Sequence, residues 1–447
     1  MFIKEVLKQP EMFSGQQVKF KGWVSNVRGN TKVKFIEIND GSTVLNLQCV
    51  LKNDNYDLAI VDNLGIGSSV EITGLFVSTP DKQQKAEVSV EKIEILSLVK
   101  LDEYPIQNKE ISVEVLRQMP HLRHRTRLFK SIMILRSALF FEINNFFQSE
   151  GFINFSAPIL TSNDGEGAGE TFIVDDEKGG FFNKKTTLGV TGQLHAESYA
   201  LGFQKVYTFA PTFRAEKSNT KKHAAEFWMV EPEVAFFNLN DIIDLGEKML
   251  KTSIVNVISK HNSEFDFLEK YTGINLRKRL IDFTKNQIEK VNYEDALKIL
   301  REHKDQFENQ DLDFGADLKT EHERFLAEQV FKAPVAITNY PKDIKAFYMH
   351  QNDDGRTVAA FDLLVPGIGE LIGGSQREVR YEKLEQRINE LGMNQEDLQW
   401  YLDLRKFGNA GSAGFGLGFE RLVMYVTGID NIRDVIPYPR TNKTVLM

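Results

Sequence analysis

Charged residues set inside otherwise apolar stretches are the first sign of chemistry in this chain. Arg214 and Glu216 close an aromatic run, VYTFAPTFRAE, and strand alternation puts Thr212, Arg214 and Glu216 on one face. Unpaired buried charge is very costly, so that face needs partners. The two residues by themselves fit a structural Arg–Glu pair as well as an oxyanion site. Asp362 and Glu370 stand in a second apolar run, FDLLVPGIGELIGG, an expensive place for two carboxylates unless a cation joins them. A divalent ion bridging phosphates is such a cation. In GFGLGFERLVMYV, Gly414, Gly416 and Gly418 alternate and strip one strand face, so that a flat ligand can lie against backbone. Arg421 follows at the start of a helix, where its charge and the helix dipole favour phosphate; a glycine strand buried under a helix is the alternative. The glycines of NDGEGAGE allow backbone to approach a ligand, but the loop is neither a Walker A motif nor a dinucleotide fingerprint.

Two strands, 206–216 and 226–237, flank a polar loop that carries Lys217, Lys221, Lys222 and His223. Upstream, 128–150 has helical spacing (Leu128, Ile132, Leu135, Leu139, Ile143, Phe146) and FINFSAPILT reads as a strand containing Pro158. TTLGVTGQLHAESYALG reads as a strand entering a helix, 239–260 and 293–303 as peripheral helices, and the stretch from Lys332 to Arg380 as strands. The N-terminal region differs in kind. Five short strands between 17 and 97, with turn signals at Asp40-Gly41-Ser42 and Thr79-Pro80-Asp81 and a helical stretch at Leu51–Leu64, predict a small barrel of the OB type. Such barrels bind single-stranded nucleic acid. The chain is therefore expected to be α+β: a barrel domain over 1–100, a hinge over 101–127 containing Pro105 and Pro120, and a domain over 128–447 built on an antiparallel sheet flanked by helices.

With 447 residues the chain can bury two cores. A net charge of −8 gives no global nucleic-acid signature, so RNA contact must rest on local clusters such as His121–Arg127 and the loop lysines; each could equally be a solvated face. One cysteine, Cys49, excludes an internal disulfide and a multi-cysteine zinc site. The opening MFIKEVLKQP is too short and mixed for a signal peptide, and no apolar run is long enough to span a membrane, so a soluble cytoplasmic protein is expected.

FRAEKSNTKKHAAEFWMVEPEVAF resembles motif 2 of the class II aminoacyl-tRNA synthetases, nearest to the asparaginyl pattern in the subgroup of aspartyl, asparaginyl and lysyl enzymes. The stretches 128–161 and 414–429 resemble motifs 1 and 3, in family order, with motif 2 at 206–237. The resemblance implies the class II catalytic fold behind an anticodon-reading OB domain. It further implies ATP-dependent activation of L-asparagine, transfer to the 3′ end of the asparagine tRNA, Mg²⁺ bound with ATP, and a homodimer formed through motif 1. It assigns Arg214 to the α-phosphate and substrate carboxylate, Glu216 and His223 to the nucleotide, Phe227 to the adenine face and Arg421 to the γ-phosphate. Asp362 and Glu370 would hold the metal, Glu370 also touching ATP. Glu166 and Gln193 would meet the substrate ammonium, Glu197 its side-chain amide and Arg377 its side-chain oxygen. In the barrel, Phe35 would stack on the middle anticodon base and Gln48 hydrogen-bond it.

Aspartyl enzymes carry a lysine where this chain has Ala196, beside Glu197. That argues against aspartate as the substrate, although an aspartyl enzyme charging both tRNAs is the nearest alternative. A paralogue making free asparagine and an inactive RNA-binding paralogue are further ones. Three departures stand out. Lys222 replaces the usual arginine before His223, Ala410-Gly411-Ser412-Ala413-Gly414 replaces PHSG, and Pro439-Arg440-Thr441-Asn442-Lys443 replaces PRTPG.

Overall fold

Alternating apolar residues close the first strands into a barrel. The computed structural model describes every residue except 54–57, 83, 108–110, 163–170, 175–179 and 219. β1 (Gln17–Gly29), β2 (Val33–Asn39), β3 (Leu47–Lys52), β4 (Ser69–Ser78) and β5 (Ala86–Ser97) form a closed barrel in the order β1-β2-β3-β5-β4. Along β1, Val18, Phe20 and Val24 point inward onto Ile36, Leu47, Cys49, Ile72 and Val88, while Lys19, Lys21 and Trp23 face out. β1 turns tightly into β2 at Gly29, whose φ of +132° and contact with the Val33 carbonyl exclude a side chain. The helix expected over Leu51–Leu64 is corrected to a single 3₁₀ turn, Leu58–Val61, among the described residues. Leu51 belongs instead to β3, buried and paired with Lys34.

The chain divides into two compact units, Met1–Ser131 and Ile132–Met447, so the segment expected as a hinge lies in the first. It carries two short helices, Val113–Arg117, capped by Ser112, and Pro120–Arg123, which starts on a proline.

The second unit is built on an eight-stranded sheet. In chain order its strands are β6 (Ile153–Asn154), β10 (Lys205–Phe213), β11 (Glu226–Ala235), β12 (Glu289–Asn292), β13 (Val335–Pro341), β14 (Thr357–Val365), β15 (Gly369–Gln376) and β16 (Ser412–Gly418). Between β6 and β10, a three-stranded sheet holds β7 (Leu160–Thr161), β8 (Ile173–Val174) and β9 (Thr186–Leu188); β17 (Arg440–Thr441) and β18 (Thr444–Val445) form a final hairpin. The main order is β12-β13-β14-β15-β16-β11-β10-β6, antiparallel except at its two edge pairs. The single strand expected from FINFSAPILT is two short pieces, β6 and β7, with Pro158 between them. Proline cannot donate to a ladder, and β6 pairs only with Val206 and Tyr207.

One sheet face is covered by the helix Leu239–Lys260, which Asn238 caps. Gly246 lets it approach Ile372 and Phe415, where a Cβ would sit 3.5 Å from each side chain. Strand alternation turns the neighbours Gly373 and Gly416 to the other face, where they are paired opposite each other. That face carries the cavity. No helix among the described residues is long and apolar enough to cross a membrane.

Candidate active site

A cavity of about 530 Å³ opens on the uncovered sheet face. One wall is the β10–β11 hairpin. Arg214, just past β10, donates its N–H to the Ala225 carbonyl at 3.0 Å, which extends the ladder beyond the strand end. Its guanidinium carbon lies 5.5 Å from the centre of the Phe227 ring, a cation–π distance. In the connecting loop, His223 Nε2 is 3.8 Å from Glu216 Oε2, and His223 Nδ1 meets the hydroxyls of Ser218 and Thr220. Burial pulls the His223 imidazole below its ordinary range, against the pull of Glu216. Lys222 donates to the Ile368 carbonyl, and burial lowers its ammonium to about 8.

The opposite wall gathers acids. Asp362 on β14 is paired with Gly373 on β15, and Glu370 is the second residue of β15. A Cβ at Gly373 would lie 2.9 Å from Glu370 Oε1 and 3.4 Å from Asp362 Oδ1, so both carboxylates converge over this glycine. Each has a resident cation. Lys345 Nζ is 2.6 Å from Asp362, and Arg421 Nη1 donates to the Glu370 carbonyl and to Oε2, both at 3.0 Å. Burial raises the Asp362 carboxyl. Burial also works to raise Glu370, but Arg421 and Lys345 outweigh it and hold that carboxyl low. A third acid, Glu323 on the helix Thr320–Phe325, accepts the Glu370 N–H at 3.1 Å. Burial and the Glu370 charge push its carboxyl up to about 7.

Behind the cavity lies a buried polar cluster on Glu233 of β11. Arg377 donates to it through Nε at 3.1 Å and Nη2 at 2.9 Å, Ser412 Oγ through 2.8 Å, and Gln193 through its amide. Arg377 also donates to Ser375 Oγ at 2.6 Å. A Cβ at Gly414 would strike Glu233, so this glycine makes room for the Arg377–Glu233 pair, while Gly416 and Gly418 line the cavity. The glycine stripe thus serves a ligand only in part. Ser412 lies in the segment that replaces PHSG, and its hydroxyl is absorbed by this cluster. Glu197, in the helix Gln193–Phe203, is fully buried, 2.8 Å from Arg405 Nη2, and accepts from Tyr401 Oη. Ala196 packs with Phe155, Ala200 and Val206.

Of the predicted site residues, Arg214, Glu216, His223, Phe227, Gln193, Asp362, Glu370 and Arg421 line the cavity. Arg377 and Glu197 are buried and do not. Glu166 lies outside the described residues. Sequence reasoning missed Glu231, Glu233, Lys345, Glu323 and Arg405. The Glu231-Pro232-Glu233 pattern carried a signal, since two carboxylates on one face of an aromatic strand need partners; Glu231 receives the Gly192 N–H at 3.0 Å.

The barrel unit holds a second constellation. Phe35 is half-buried, with the Arg28 guanidinium 5.4 Å from its ring centre. Arg28 Nη2 donates to Gln48 Oε1 at 2.8 Å, and Gln48 Nε2 donates to Glu87 at 3.2 Å. Glu37, two residues from Phe35, is paired opposite Gln48. An aromatic face edged by fixed polar groups is the arrangement that stacks and reads a base.

Comparison with known proteins agrees with this division. The family of class II tRNA synthetases (D, K and N) matches residues 112–442, and the OB-fold nucleic acid binding domain matches 18–96. The chain is 66% identical over 445 residues to the asparagine–tRNA ligase of Mesomycoplasma hyopneumoniae (strain 7448), covering 100% of this chain and 99% of that protein. It is 48% identical over 455 residues to the asparagine–tRNA ligase of Bacillus cytotoxicus, covering 98% of each. Among solved structures, asparaginyl-tRNA synthetase from Pyrococcus horikoshii, complexed with asparaginyl-adenylate, superposes with a TM-score of 0.90 at 33% identity, covering 100% of this chain and 99% of that one. With its catalytic sheet, its OB barrel and its full-length relatives, the chain belongs to the class II tRNA synthetase family of the D, K and N type.

Proposed function

We propose that this chain joins L-asparagine to its tRNA by way of asparaginyl-adenylate. The observation that carries the reading is one cavity with an arginine beside an aromatic ring on one wall and two convergent carboxylates with an arginine on the other. Full-length relatives of 48% and 66% identity carry the same assignment in their names.

In the reaction the asparagine carboxylate attacks the α-phosphorus of ATP and pyrophosphate leaves. The terminal ribose hydroxyl of the tRNA then attacks the adenylate carbonyl and AMP leaves. Arg214 can hold both the entering carboxylate and the α-phosphate, because its planar, permanently protonated fork binds oxyanions bidentately. Phe227 offers a ring face for adenine, His223 and Glu216 border the nucleotide, and Arg421 serves the γ-phosphate. No side chain needs to become a nucleophile; orientation and charge stabilisation supply the rate.

The donors fit Mg²⁺. Among the described residues no three His, Cys, Asp or Glu side chains form a ready metal cage. Yet Mg²⁺ usually takes one or two carboxylates plus substrate phosphates, and Asp362 and Glu370 converge as hard oxygen donors. A bound Mg²⁺ would neutralise phosphate charge there.

For the amino acid, Gln193 borders the cavity, and Glu166 completes the assignment of the ammonium group. Arg377 keeps N–H donors beyond those given to Glu233 and Ser375, which the reading assigns to the side-chain oxygen of asparagine. Glu197 acts with Arg405 as a paired, not a bare, charge. In the barrel, over 1–100, Phe35 stacks on the middle anticodon base and the second amide hydrogen of Gln48 reads it. The chain acts as a cytoplasmic homodimer through the helix Arg127–Ser149 and its neighbourhood, where Phe141 is 62% exposed and Ile153 47%. Light scattering on the full chain tests the dimer. ATP–pyrophosphate exchange with asparagine, aspartate and lysine tests the whole reading: exchange with asparagine alone is expected, and equal exchange with aspartate would favour the aspartyl alternative.

A further inference from the structure

The turn between β14 and β15 lies between the two convergent acids, and charged side chains from distant segments hold its backbone. Glu328 accepts the Gly367 N–H at 2.8 Å and is itself fixed by Arg324 Nε at 2.7 Å. Lys222, from the β10–β11 loop, donates to the Ile368 carbonyl. Glu323 accepts the Glu370 N–H at 3.1 Å. Gly369, with φ +87°, leaves the space for it: a Cβ there would collide with Glu323 Oε2. Arg421 takes the other two polar groups of Glu370, its carbonyl and its carboxylate. Every polar group of Glu370 outside the cavity therefore has a fixed partner, and Glu323 supplies the one at the amide.

A third carboxylate beside two others is electrostatically unfavourable, and closing a turn does not require one. Glu323 comes from the helix Thr320–Phe325, far from the motifs in sequence, where EHERF would otherwise pass for a solvent-facing charged turn. We propose that Glu323 is a positioning residue. Through its hydrogen bond to the Glu370 amide it holds the Glu370 carboxylate where it and Asp362 can share one divalent cation with ATP. The proposal rests on the reading of Asp362 and Glu370 as the cation-holding pair. Glu323 acts on the cation through Glu370; removing its bond frees the start of β15 and spreads the two acids. Changes to such supporting partners typically cost 10–100-fold in metal affinity.

The test uses the full chain with ATP and no amino acid, so that no turnover occurs, and Mn²⁺ as the probe. Water-proton relaxation distinguishes enzyme-bound Mn²⁺–ATP from the free complex. Glu323→Ala is expected to weaken Mn²⁺–ATP binding about tenfold or more, and Glu323→Gln, which keeps an acceptor oxygen, by less than about threefold. In exchange assays the Mg²⁺ requirement of Glu323→Ala should rise while KM for asparagine stays unchanged. Wild-type affinity in Glu323→Ala would overturn the proposal. So would equal losses in the Ala and Gln variants, because charge and not the hydrogen bond would then be responsible. If circular dichroism shows that Glu323→Ala does not fold, Glu323→Asp takes its place; its shortened reach should give a weakened intermediate affinity, and wild-type affinity would again overturn the idea. Asp362→Asn tests the underlying reading separately: undiminished Mn²⁺–ATP binding there would remove the cation pair itself, whatever Glu323 does.

Discussion

Selection of asparagine over aspartate is the sharpest point on which the structure changes the expectation. A bare Glu197 carboxylate about 4 Å from an aspartate side chain would repel it by about 4 kcal/mol at an effective dielectric near 20, roughly a thousandfold in rate. Glu197 is not bare: Arg405 Nη2 lies 2.8 Å from it. With that positive charge in line behind Glu197, about 7 Å from the substrate, it returns about 2.4 kcal/mol. About 1.7 kcal/mol remains, or roughly twentyfold. Glu197→Gln removes the whole repulsion and leaves the attraction of Arg405, so it should lower the asparagine-to-aspartate ratio of kcat/KM by up to about a thousandfold. It should also lower the thermal midpoint, because Arg405 is left buried without its counter-charge, a change that costs up to about 3–5 kcal/mol. Adding Arg405→Met to the same chain should recover much of that stability and, because only the net effect of the pair is then lost, reduce the fall in the ratio to about twentyfold. The measurements are pyrophosphate exchange at saturating ATP for each amino acid and a melting curve. A ratio unchanged within twofold would refute the role of the pair. Equal drops in the single and the double variant would show that Arg405 does not screen Glu197.

Arg214→Ala should cut adenylate formation by about a hundredfold or more with unchanged circular dichroism, and near-normal exchange would remove Arg214 from the chemistry. Phe35→Ala should weaken tRNA binding by about 1–3 kcal/mol without affecting exchange; equal charging efficiency would make Phe35 a packing residue only. Lys222, lowered to about 8, loses its charge in the free protein as pH rises through that value, so kcat/KM for ATP should fall above about pH 8. Lys222→Arg should abolish that limb, since guanidinium stays charged; an identical profile in the variant would assign the limb to another group.

The barrel and the catalytic hairpin were legible because their signals are local. β1 alternates with period two, and the run from β10 to β11 is aromatic, interrupted by one polar loop. Leu51–Leu64 misled because a short apolar stretch has no decisive period, and strand pairing with Lys34 settled it. Asp362, Glu370 and Arg421 could be singled out as charges in apolar runs. The charged groups that surround the site could not. Lys345, Arg405 and Glu323 sit in ordinary mixed sequence, and only the fold brings them to their partners. Arg377 and Glu197 were legible as charges, but Glu233 and Arg405, which pair with them, were not, because sequence shows a charge without showing what neutralises it. The same holds for Gly414, whose missing side chain makes room for Glu233 instead of a substrate.

Those hidden partners bear on how the site works. Without a ligand, Arg421 is already bonded to Glu370 and Lys345 to Asp362. On the proposed function, Arg421 reaching for a phosphate must loosen its hold on Glu370, a carboxylate that the same proposal places beside that phosphate. Were the site merely electropositive, anions of any shape would serve. With these two cations each matched to an acid, a lone anion gains at one group what it forfeits at the other. Only a ligand that brings negative charge to Arg421 together with positive charge to Asp362 and Glu370 leaves every group satisfied. A nucleotide accompanied by a divalent cation meets that condition, and free phosphate does not.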